Sequence, residues 1–282
     1  MVINTFEPLV KTERSATCYI AKFCWEKHRR FCLRCKNHKI YAIRRQRYRC
    51  KCCKYEFSDW TGRWIGRLSI SAKDWLWIVK LFELEISAMK ASRQLNLSNA
   101  TVLKAFEIIR QSLMSGYQER ELLSKEKMEC DVSGLSNPQR GNPLPDQESQ
   151  VPVFGILEHD GIVGIERVPD VTPEMLLNTT VQWVRQGSIV YTDQFRGYDS
   201  LIFRSCRYRT GNHPEKFGSG KVYIDGLKGF WVFAKDRLNK NHDVPKSYFP
   251  SYLKELEFRY NHRGVSIFEL IIKALCQPLS NL

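Results

Sequence analysis

The sequence predicts a C-terminal α/β domain with a mixed sheet, preceded by a cysteine-rich knuckle and a group of short helices. Apolar, β-branched runs bounded by turn residues predict five strands, at residues 128–132, 151–158, 162–168, 188–193 and 206–210. Apolar residues at helical spacing predict three helices in the same region, at residues 172–184, 225–238 and 246–260. Three strands, a helix, two more strands and closing helices form an α/β order with mixed pairing. This order is the succession of a ribonuclease H-like fold.

Positive charge is concentrated at the start of the chain. The 282 residues carry a formal net charge of +14, and residues 1–70 hold 17 Lys and Arg against 5 Asp and Glu, an excess of +12. Such an asymmetry indicates a polyanion-binding arm in front of a nearly neutral domain. We favour nucleic acid over a membrane surface as the partner, because basic segments that bind membranes are amphipathic helices without paired cysteines.

The sequence shows no run of 18 apolar residues and no secretory signal at its start. We therefore expect no membrane partner and an intracellular location. That location is a bacterial-type cytoplasm, in association with the nucleoid, or the nucleus if the host is a eukaryote. In such a compartment the ten cysteines are expected to be thiols or metal ligands and not disulfides.

Two Cys-x2-Cys pairs separated by fourteen residues predict a structural zinc site. Four thiolates from two turns can close a tetrahedron around Zn²⁺, and a short hairpin between the pairs, at residues 40–49, is the arrangement of a zinc ribbon. The predicted ligands are Cys32, Cys35, Cys50 and Cys53. Cys52 points elsewhere in this register, and His38 is a less favoured substitute. Unrelated free cysteines are the alternative.

The predicted hairpin is also rich in arginine, which suits contacts with DNA phosphates. A basic face that is only solvated is the alternative. The arginines of the hairpin are Arg44, Arg45, Arg47 and Arg49.

A helix-turn-helix is predicted after the ribbon. Helical spacing covers residues 72–85, 87–95 and 99–113, and the three-residue turn 96–98 joins the last two helices. Ser98 is the expected N-cap of the last helix. The residues expected to face a DNA groove are Asn99, Thr101 and Lys104, whereas those expected to pack inward are Val102, Phe106 and Ile109. Helical pairs with such turns are also common as purely structural features.

Together these features predict three domains. Residues 1–68 form a basic N-terminal arm with the zinc ribbon, residues 69–127 a helix-turn-helix region, and residues 128–282 the ribonuclease H-like domain. Residues 1–30 mix aromatic and basic side chains without a clear period, so no element is predicted there.

Two predicted strands end in a carboxylate. The run of residues 188–193 ends in Asp193, and the run of residues 128–131 ends in Asp131. In sheets covered by helices, ligands gather where strands end. We therefore expect the two carboxylates to meet near the amphipathic helix at residues 225–238. An Asp that only opens the next turn is the alternative.

Three short pieces of the C-terminal region are specific enough to suggest a family. They are Tyr191-Thr192-Asp193, Gly229-Phe230-Trp231 with Lys235, and Glu257-Phe258-Arg259-Tyr260-Asn261. Together with residues 155–157, Tyr198, His213 and Pro245, they resemble insertion-sequence transposases of the DDE type. The similar group has an N-terminal zinc ribbon and an ISXO-type catalytic domain. The resemblance covers the chain from Cys32 to about Arg263.

The resemblance implies a DNA transposase that cleaves DNA and transfers strands at terminal inverted repeats, with two divalent metal ions, Mg²⁺ or Mn²⁺. The implied partners are double-stranded DNA, both as terminal repeats and as target, and further copies of the chain in a homo-oligomer on DNA. The family's first acid falls on Asp131 and its second on Asp193, and both would hold magnesium. The family's basic residue falls on Lys235.

The family's third acid falls on Lys228. Phosphodiester chemistry of this type needs carboxylates that hold two metal ions about 3.5–4 Å apart, and an ammonium group repels such ions. Asp225 lies three residues earlier on the same helix face and could substitute in part. A second departure follows Asp131, where the family has Glu, an aromatic residue and a Gly pair but this chain has Val132-Ser133-Gly134-Leu135.

Two further residues have alternative roles. His213 either positions a phosphate or a metal-bound water, or is a bystander in a loop. Lys235 either contacts the phosphate backbone near the cut or is simply solvated.

Three hypotheses for the whole chain follow. The first is an active transposase that uses Asp131, Asp193 and Asp225. The second is a catalytically inactive derivative that acts only as a zinc-dependent DNA-binding protein. The third is a zinc-ribbon transcription regulator whose C-terminal domain only dimerises. The Tyr191-Thr192-Asp193 stretch and the Gly-Phe-Trp helix argue against the third hypothesis.

Overall fold

The computed structural model describes residues 2–25, 29–44, 46–116, 127–136, 150–158, 161–169, 171–184, 188–192, 207–210, 225–240 and 248–279. The chain divides into two compact units, Met1–Tyr117 with Gly264–Leu282, and Gln118–Arg263. The first unit contains the cysteine-rich and helical regions. The second contains the α/β domain.

The first unit begins with two helices that the sequence did not reveal. They are α1 (Ile3–Val10) and α2 (Glu13–Cys24). The start of α2 is stabilised by a capping box, in which Thr12 and Ser15 each bind the other's backbone N–H through a side-chain oxygen. A capping box usually has Glu or Gln at the position that Ser15 occupies. The helix start was therefore not apparent from the sequence.

A small antiparallel sheet follows. Its strands, paired in sequence order, are β1 (Ile40–Ile43), β2 (Arg47–Cys50) and β3 (Glu56–Ser58). The first two strands confirm the hairpin predicted at residues 40–49. The third strand was not predicted, because three residues are too few to show an alternating pattern.

The predicted helices of the first unit are confirmed. After a 3₁₀ turn (Trp64–Arg67), the chain forms α3 (Ala72–Glu83), α4 (Ala88–Leu95) and α5 (Asn99–Gly116). Ser71, Ser87 and Ser98 cap these helices, since each accepts a hydrogen bond from a backbone N–H three residues later. α4 is followed by Asn96, whose left-handed φ of 54° lets the chain turn before Ser98.

The apolar faces of α3 and α5 form part of the core of this unit. The residues predicted to pack inward from α5, Val102, Phe106 and Ile109, are all buried. The rings of Phe82 and Phe106 lie 5.1 Å apart in an edge-to-face arrangement, which aromatic pairs prefer. This packing fixes which side of α5 is left to solvent.

The second unit is built on a five-stranded mixed sheet. Its strands are β4 (Lys127–Ser136), β5 (Gln150–Glu158), β6 (Val163–Arg167), β7 (Ile189–Thr192) and β8 (Arg207–Thr210). They lie in the order β6-β5-β4-β7-β8. Strands β4, β5 and β6 pair antiparallel, and β7 and β8 run parallel to β4. An antiparallel meander extended by two parallel strands is the ribonuclease H-like sheet, so the predicted fold class is confirmed.

Three helices accompany this sheet. They are α6 (Pro173–Trp183), α7 (Asp225–Lys240) and α8 (Phe249–Asn261). The start of α6 is capped by Thr172, whose side chain accepts a hydrogen bond from the N–H of Met175 at 3.3 Å. None of the helices in the described ranges is long and apolar enough to cross a bilayer.

The alternation of side chains along β4 determines which helix each one faces. Cys130 belongs to the buried apolar cluster that includes Leu176 of α6. Leu135 belongs to a different cluster, which includes Leu227 of α7. Because successive side chains point to opposite faces of a sheet, Asp131 lies on the face that α7 covers.

The last helix, α9 (Phe268–Leu275), packs in the first unit. Its Phe268 ring lies 5.5 Å from the Phe6 ring of α1, and Tyr19 of α2 donates a hydrogen bond to Glu269 at 2.9 Å. The predicted domain at residues 128–282 included this segment. The structure groups it with the N-terminal helices through contacts between residues 250 positions apart. The limits 1–68 and 69–127 remain predictions.

Candidate metal centre and candidate active site

The structure brings the four predicted zinc ligands together. The sulfur atoms of Cys32, Cys35, Cys50 and Cys53 all lie within 4.8 Å of one another. The Sγ atoms of Cys32 and Cys53, and those of Cys35 and Cys50, are 3.5 Å apart. Sulfurs placed tetrahedrally about 2.3 Å from a zinc ion are about 3.8 Å apart, so this donor set fits the ion. Within the described ranges, no other group of three or more His, Cys, Asp or Glu side chains is arranged to hold a metal.

Equivalent turns hold the two cysteine pairs. The N–H of Lys36 donates to the carbonyl of Cys32 at 2.8 Å, and the N–H of Lys54 donates to that of Cys50 at 3.2 Å. Both lysines have a left-handed backbone, with φ of 57° and 60°, which tightens each turn around its sulfurs.

Backbone N–H groups, chiefly that of Cys53, lower the pKa of Cys50 to about 7. Although a backbone hydrogen bond from Asn37 lowers it, burial and hydrogen bonds with the other sulfurs raise the pKa of Cys35 to about 12. The thiolate that a metal ion requires is therefore favoured at Cys50 first.

The two substitutes considered from the sequence lie outside this cluster. Cys52 is exposed, and neither it nor His38 is a member of the group. The Nδ1 atom of His38 lies 3.3 Å from the carbonyl oxygen of Arg30, and the ring packs edge-on against Phe31. The close grouping of the other four cysteines does not fit the alternative of unrelated thiols.

Two arginines of the ribbon, Arg47 and Arg49, share one acidic partner. Arg47 and Arg49 lie 3.4 and 3.0 Å from Glu56 of β3. About half of each arginine side chain stays exposed, 49% and 45% respectively. Arg44 is also exposed, whereas Arg45 lies outside the described residues. Sequence reasoning missed Glu56, which partly neutralises this basic surface.

The three residues predicted to face a DNA groove differ in their surroundings. Asn99 and Lys104 are exposed on α5. Thr101 is part of the helix cap, because its N–H donates to Oγ of Ser98 at 3.1 Å and the two hydroxyls lie 2.8 Å apart. Asn99 and Lys104 are therefore the better placed pair on this helix.

In the second unit, the first predicted acid lies on the central strand. Asp131 stands opposite Gly155 of β5 in the antiparallel register. The strand β4 continues to Ser136, past its predicted end, but its pairing with β7 stops where Cys130 meets Thr192. Asp193 follows Thr192 in the sequence and lies outside the described residues. The pairing thus brings the last residue of β7 next to the strand position that precedes Asp131.

Both carboxylate oxygens of Asp131 accept hydrogen bonds. Nε1 of Trp231 in α7 donates to Oδ2 at 2.9 Å, and the N–H of Val132 donates to Oδ1 at 2.7 Å. The ring of Trp231 is packed in the core and is 5% exposed. Sequence reasoning missed the contact of the indole N–H with the acid. A buried indole N–H usually has an acceptor, and that rule was the available signal.

The helix α7 carries Lys228, the residue predicted to stand at the family's third-acid position. Lys228 is exposed near the start of the helix. The preceding residue, Leu227, donates its N–H to Oε2 of Glu129 at 3.4 Å, and Trp231, three residues after Lys228, contacts Asp131. Residues three apart lie on the same side of a helix. Lys228 and Trp231 therefore share the flank of α7 that borders Asp131.

The other predicted site residues are distributed as follows. Lys235 is exposed on α7, seven residues after Lys228 and on the same flank. Asp225 is the first residue of α7. His213 lies outside the described residues. The roles assigned to these three residues remain predictions.

Comparison with known proteins agrees with the motifs. Residues 132–261 match the family described as the ISXO2-like transposase domain. A transposase-like protein of Haemophilus influenzae is 39% identical over 108 residues, which are 38% of this chain and 88% of that protein. A protein in the transposable element ISH50 of Halobacterium salinarum is 26% identical over an alignment that covers 92% of this chain and 93% of its own.

Two solved structures show distant similarity. The catalytic core domain of BIV integrase has 11% identity and a TM-score of 0.33, with coverage of 53% of this chain and 95% of its own. The Mos1 strand transfer complex has 12% identity and a TM-score of 0.30, with coverage of 73% and 79%. The conclusion on the family rests on the sequence matches. The chain belongs to the insertion-sequence transposases that carry an ISXO2-like transposase domain.

Proposed function

We propose that the protein is the DNA transposase of an insertion sequence, which binds terminal inverted repeats and catalyses DNA cleavage and strand transfer with divalent metal. The observation that carries this proposal is the placement of Asp131. It lies on the central strand of a ribonuclease H-like sheet and on the face covered by α7. The parallel strand beside it leads directly into Asp193.

The chemistry of Asp131 suits a cation site. A carboxylate oxygen can take part in two contacts, so the N–H donated to each oxygen does not exclude a metal ion. With Asp193, Asp131 would supply the oxygen ligands that Mg²⁺ or Mn²⁺ prefers. Bound ions of this kind activate the attacking oxygen and stabilise the leaving oxygen of a phosphodiester.

Three further residues have roles in this proposal. Asp225 would supply the third carboxylate from the first turn of α7. Lys235 would bind the phosphate backbone beside the cut, and His213 would position a phosphate or a water molecule. Each role follows from the family resemblance and awaits its own test.

The first unit would supply the DNA-binding surface. Zinc held by the cysteine cluster would fix the ribbon hairpin, and Arg47 and Arg49 would contact phosphates along it. The exposed Asn99 and Lys104 of α5 would reach into a groove. The partners would be double-stranded terminal repeats and target DNA, and a homo-oligomer would join them. The place of action would be wherever the host keeps its DNA, the nucleoid of a bacterial-type cell or a nucleus.

Lys228 favours a second candidate function. An exposed ammonium group stands where the family has its third acid, on the flank of α7 that borders Asp131. A positive charge there opposes the binding of divalent cations. On this second candidate, the chain is a catalytically inactive derivative that binds DNA through its zinc-dependent ribbon.

Cleavage of labelled DNA from the ends of the encoding element distinguishes the two candidates. If the chain is an active transposase, it should nick this DNA in the presence of Mg²⁺ or Mn²⁺, and Asp131→Asn should abolish the nicking. Glu166→Gln, a control that alters an exposed carboxylate on β6, should leave the nicking intact. If the chain is an inactive derivative, the unaltered chain and both variants should bind the DNA without nicking it. Efficient nicking by the unaltered chain would assign the third ligand to Asp225, and nicking that survives Asp131→Asn would contradict the proposed first acid.

A further inference from the structure

We propose that Trp231 is a positioning residue, whose indole N–H holds the Asp131 carboxylate in the orientation that receives a metal ion. The inference rests on the proposed function and adds a residue to its acidic site. Three observations support it: the hydrogen bond from Trp231 to Asp131, the packing of the indole ring against β5, and the register of α7 on β4.

Two hydrogen bonds hold the carboxylate of Asp131. Trp231 Nε1 binds Oδ2 at 2.9 Å, and the N–H of Val132 binds Oδ1 at 2.7 Å. One donor comes from the strand itself and the other from the helix that covers it. Because the two donors engage different oxygens, they fix the rotation of the carboxylate plane as well as its position. Ligating carboxylates in metal sites are commonly oriented in this way.

The indole ring of Trp231 is packed against β5. Gly155 lies directly opposite Asp131 on β5. A Cβ atom added to Gly155 would come within 2.7 and 2.9 Å of two carbons of the Trp231 ring, and within 3.1 Å of Leu227. The ring therefore lies against a strand position that admits no side chain. The indole is held at a fixed height over the sheet, and its N–H is directed along the sheet to Asp131.

The register of α7 on β4 is set by two contacts. Leu227 donates its N–H to Glu129 at 3.4 Å, and Trp231 binds Asp131. On the strand these two acids are two residues apart, or about 6.8 Å. On the helix the two donors are four residues apart, or about 6 Å. The two spacings match closely, so helix and strand are joined at two points and the register of α7 is fixed.

The register has a consequence for the third-acid position. Residue 228 lies between the two anchoring points of α7, on the flank that it shares with Trp231. The contact that orients Asp131 therefore also sets which helix residue faces the same site. A residue that only filled the core would orient neither the Asp131 carboxylate nor the side chain at position 228.

Manganese affinity of the full chain tests the inference. The parent carries Lys228→Glu, which supplies a carboxylate at the third position, and Mn²⁺ binding is measured by calorimetry. Trp231→Phe keeps an aromatic ring but removes the N–H, and it should weaken Mn²⁺ binding about tenfold or more, the usual loss for an outer contact of a metal ligand. The matched control is Trp183→Phe, which removes an indole-to-carboxylate hydrogen bond to Glu166 in the same unit and should leave Mn²⁺ affinity unchanged. Unchanged affinity in Trp231→Phe, or an equal loss in both variants, overturns the inference.

A second variant approaches the same contact from the strand. Gly155→Ala keeps the N–H but displaces the ring, and it should weaken Mn²⁺ binding only while Trp231 is present. In the Trp231→Phe background, where the ring is smaller, the same substitution should add little. Losses that are fully additive would show that the two residues act independently and would contradict the inference.

Crystal structures of the full chain give a readout that needs no metal. In Trp231→Phe, Asp131 should adopt a different side-chain rotamer or become disordered, whereas in Trp183→Phe it should stay as in the parent. If the parent fails to bind Mn²⁺, the proposed metal-dependent function fails, and the orientation of Asp131 still decides the inference. An unchanged Asp131 in the Trp231→Phe crystal overturns it.

Discussion

The cysteine cluster of the ribbon and the acidic site of the sheet are both candidate metal sites, but they differ in how many suitable ligands the chain supplies. In the ribbon, four thiols lie within 4.8 Å of one another. In the sheet, Asp131 lies under α7 on the central strand, and the residue that we assign to the family's third-acid position on that helix is Lys228. Contacts of α7 with Glu129 and Asp131 hold the helix against this strand. These contacts come from Leu227 and Trp231, and they place the helix beside Asp131 independently of the side chain at position 228.

The two sites also differ in how they are assembled. The cysteine ligands come from two local turns, with Cys32 and Cys53 only 21 residues apart. The contact between Asp131 and Trp231 joins residues 100 positions apart. The first site depends on local turn geometry. The second depends on the packing of a whole helix against a sheet, so the two should respond to different perturbations.

The largest effect is expected from loss of the zinc that we predict in the ribbon. Purified protein should contain about one zinc per chain, and Cys35→Ser combined with Cys50→Ser should abolish it and unfold the ribbon, since a structural zinc contributes about 10–16 kcal/mol. Elemental analysis with circular dichroism measures both results. Cys52→Ser is the matched control, because this exposed thiol lies outside the cluster. Full zinc content in the double variant would refute the ligand assignment.

The next effect concerns the salt dependence of DNA binding. If the basic arm neutralises about six phosphates, the log–log slope of affinity against salt is about −5, a loss of roughly a thousandfold between about 50 and 200 mM. Fluorescence anisotropy of the full chain with duplex DNA measures this slope. A slope near zero would show that the excess charge of the first unit does not contact the phosphates.

Helix caps allow the two units to be compared directly. Ser98→Ala in the first unit and Thr172→Ala in the second should each lower the free energy of unfolding by about 1 kcal/mol, because each removes an acceptor for a backbone N–H at a helix start. Urea denaturation provides the measurement. Ser69→Ala, at an exposed position outside the helices, is the control and should have little effect. No loss in Ser98→Ala would contradict the cap of α5.

The smallest effect is expected at Glu56. Glu56→Gln should tighten DNA binding roughly two- to fivefold, because it releases Arg47 and Arg49 from a surface ion pair worth about 0.5–1 kcal/mol. Glu174→Gln is the matched control, since it removes the same charge from an exposed position on α6 in the other unit. Equal tightening in both variants would show a general charge effect and not a ribbon surface that contacts DNA.

The sequence was most informative where a feature is local. The cysteine spacing, the serine caps and the strand that carries Asp131 all depend on residues close together in the chain. The helix α9 was also within reach, since Phe268, Ile271, Ile272 and Leu275 stand at helical spacing and are buried. Its grouping with the N-terminal helices was not, because that depends on contacts over 250 residues.

The partners of the predicted site residues were harder to find. The indole N–H of Trp231 reaches Asp131 only because Gly155 leaves room for the ring, and no local pattern relates these three positions. Glu56 belongs to a three-residue strand, and its pairing with Arg47 and Arg49 depends on the sheet register. Residue types thus suggested the chemistry of each site, whereas the contacts that tune it required the packed structure.

The central claim is that position 228 and Asp131 belong to one metal site, and Mn²⁺ affinity of the Lys228→Glu chain tests it most directly. The substitution removes a repelling ammonium and adds an oxygen ligand. Calorimetry should therefore show affinity at least about tenfold above that of the unaltered chain, a change of about 1.4 kcal/mol. Adding Asp131→Asn should abolish the gain, and Lys273→Glu, a charge reversal on α9, should not reproduce it. Unchanged Mn²⁺ affinity in Lys228→Glu with an intact fold would contradict the account.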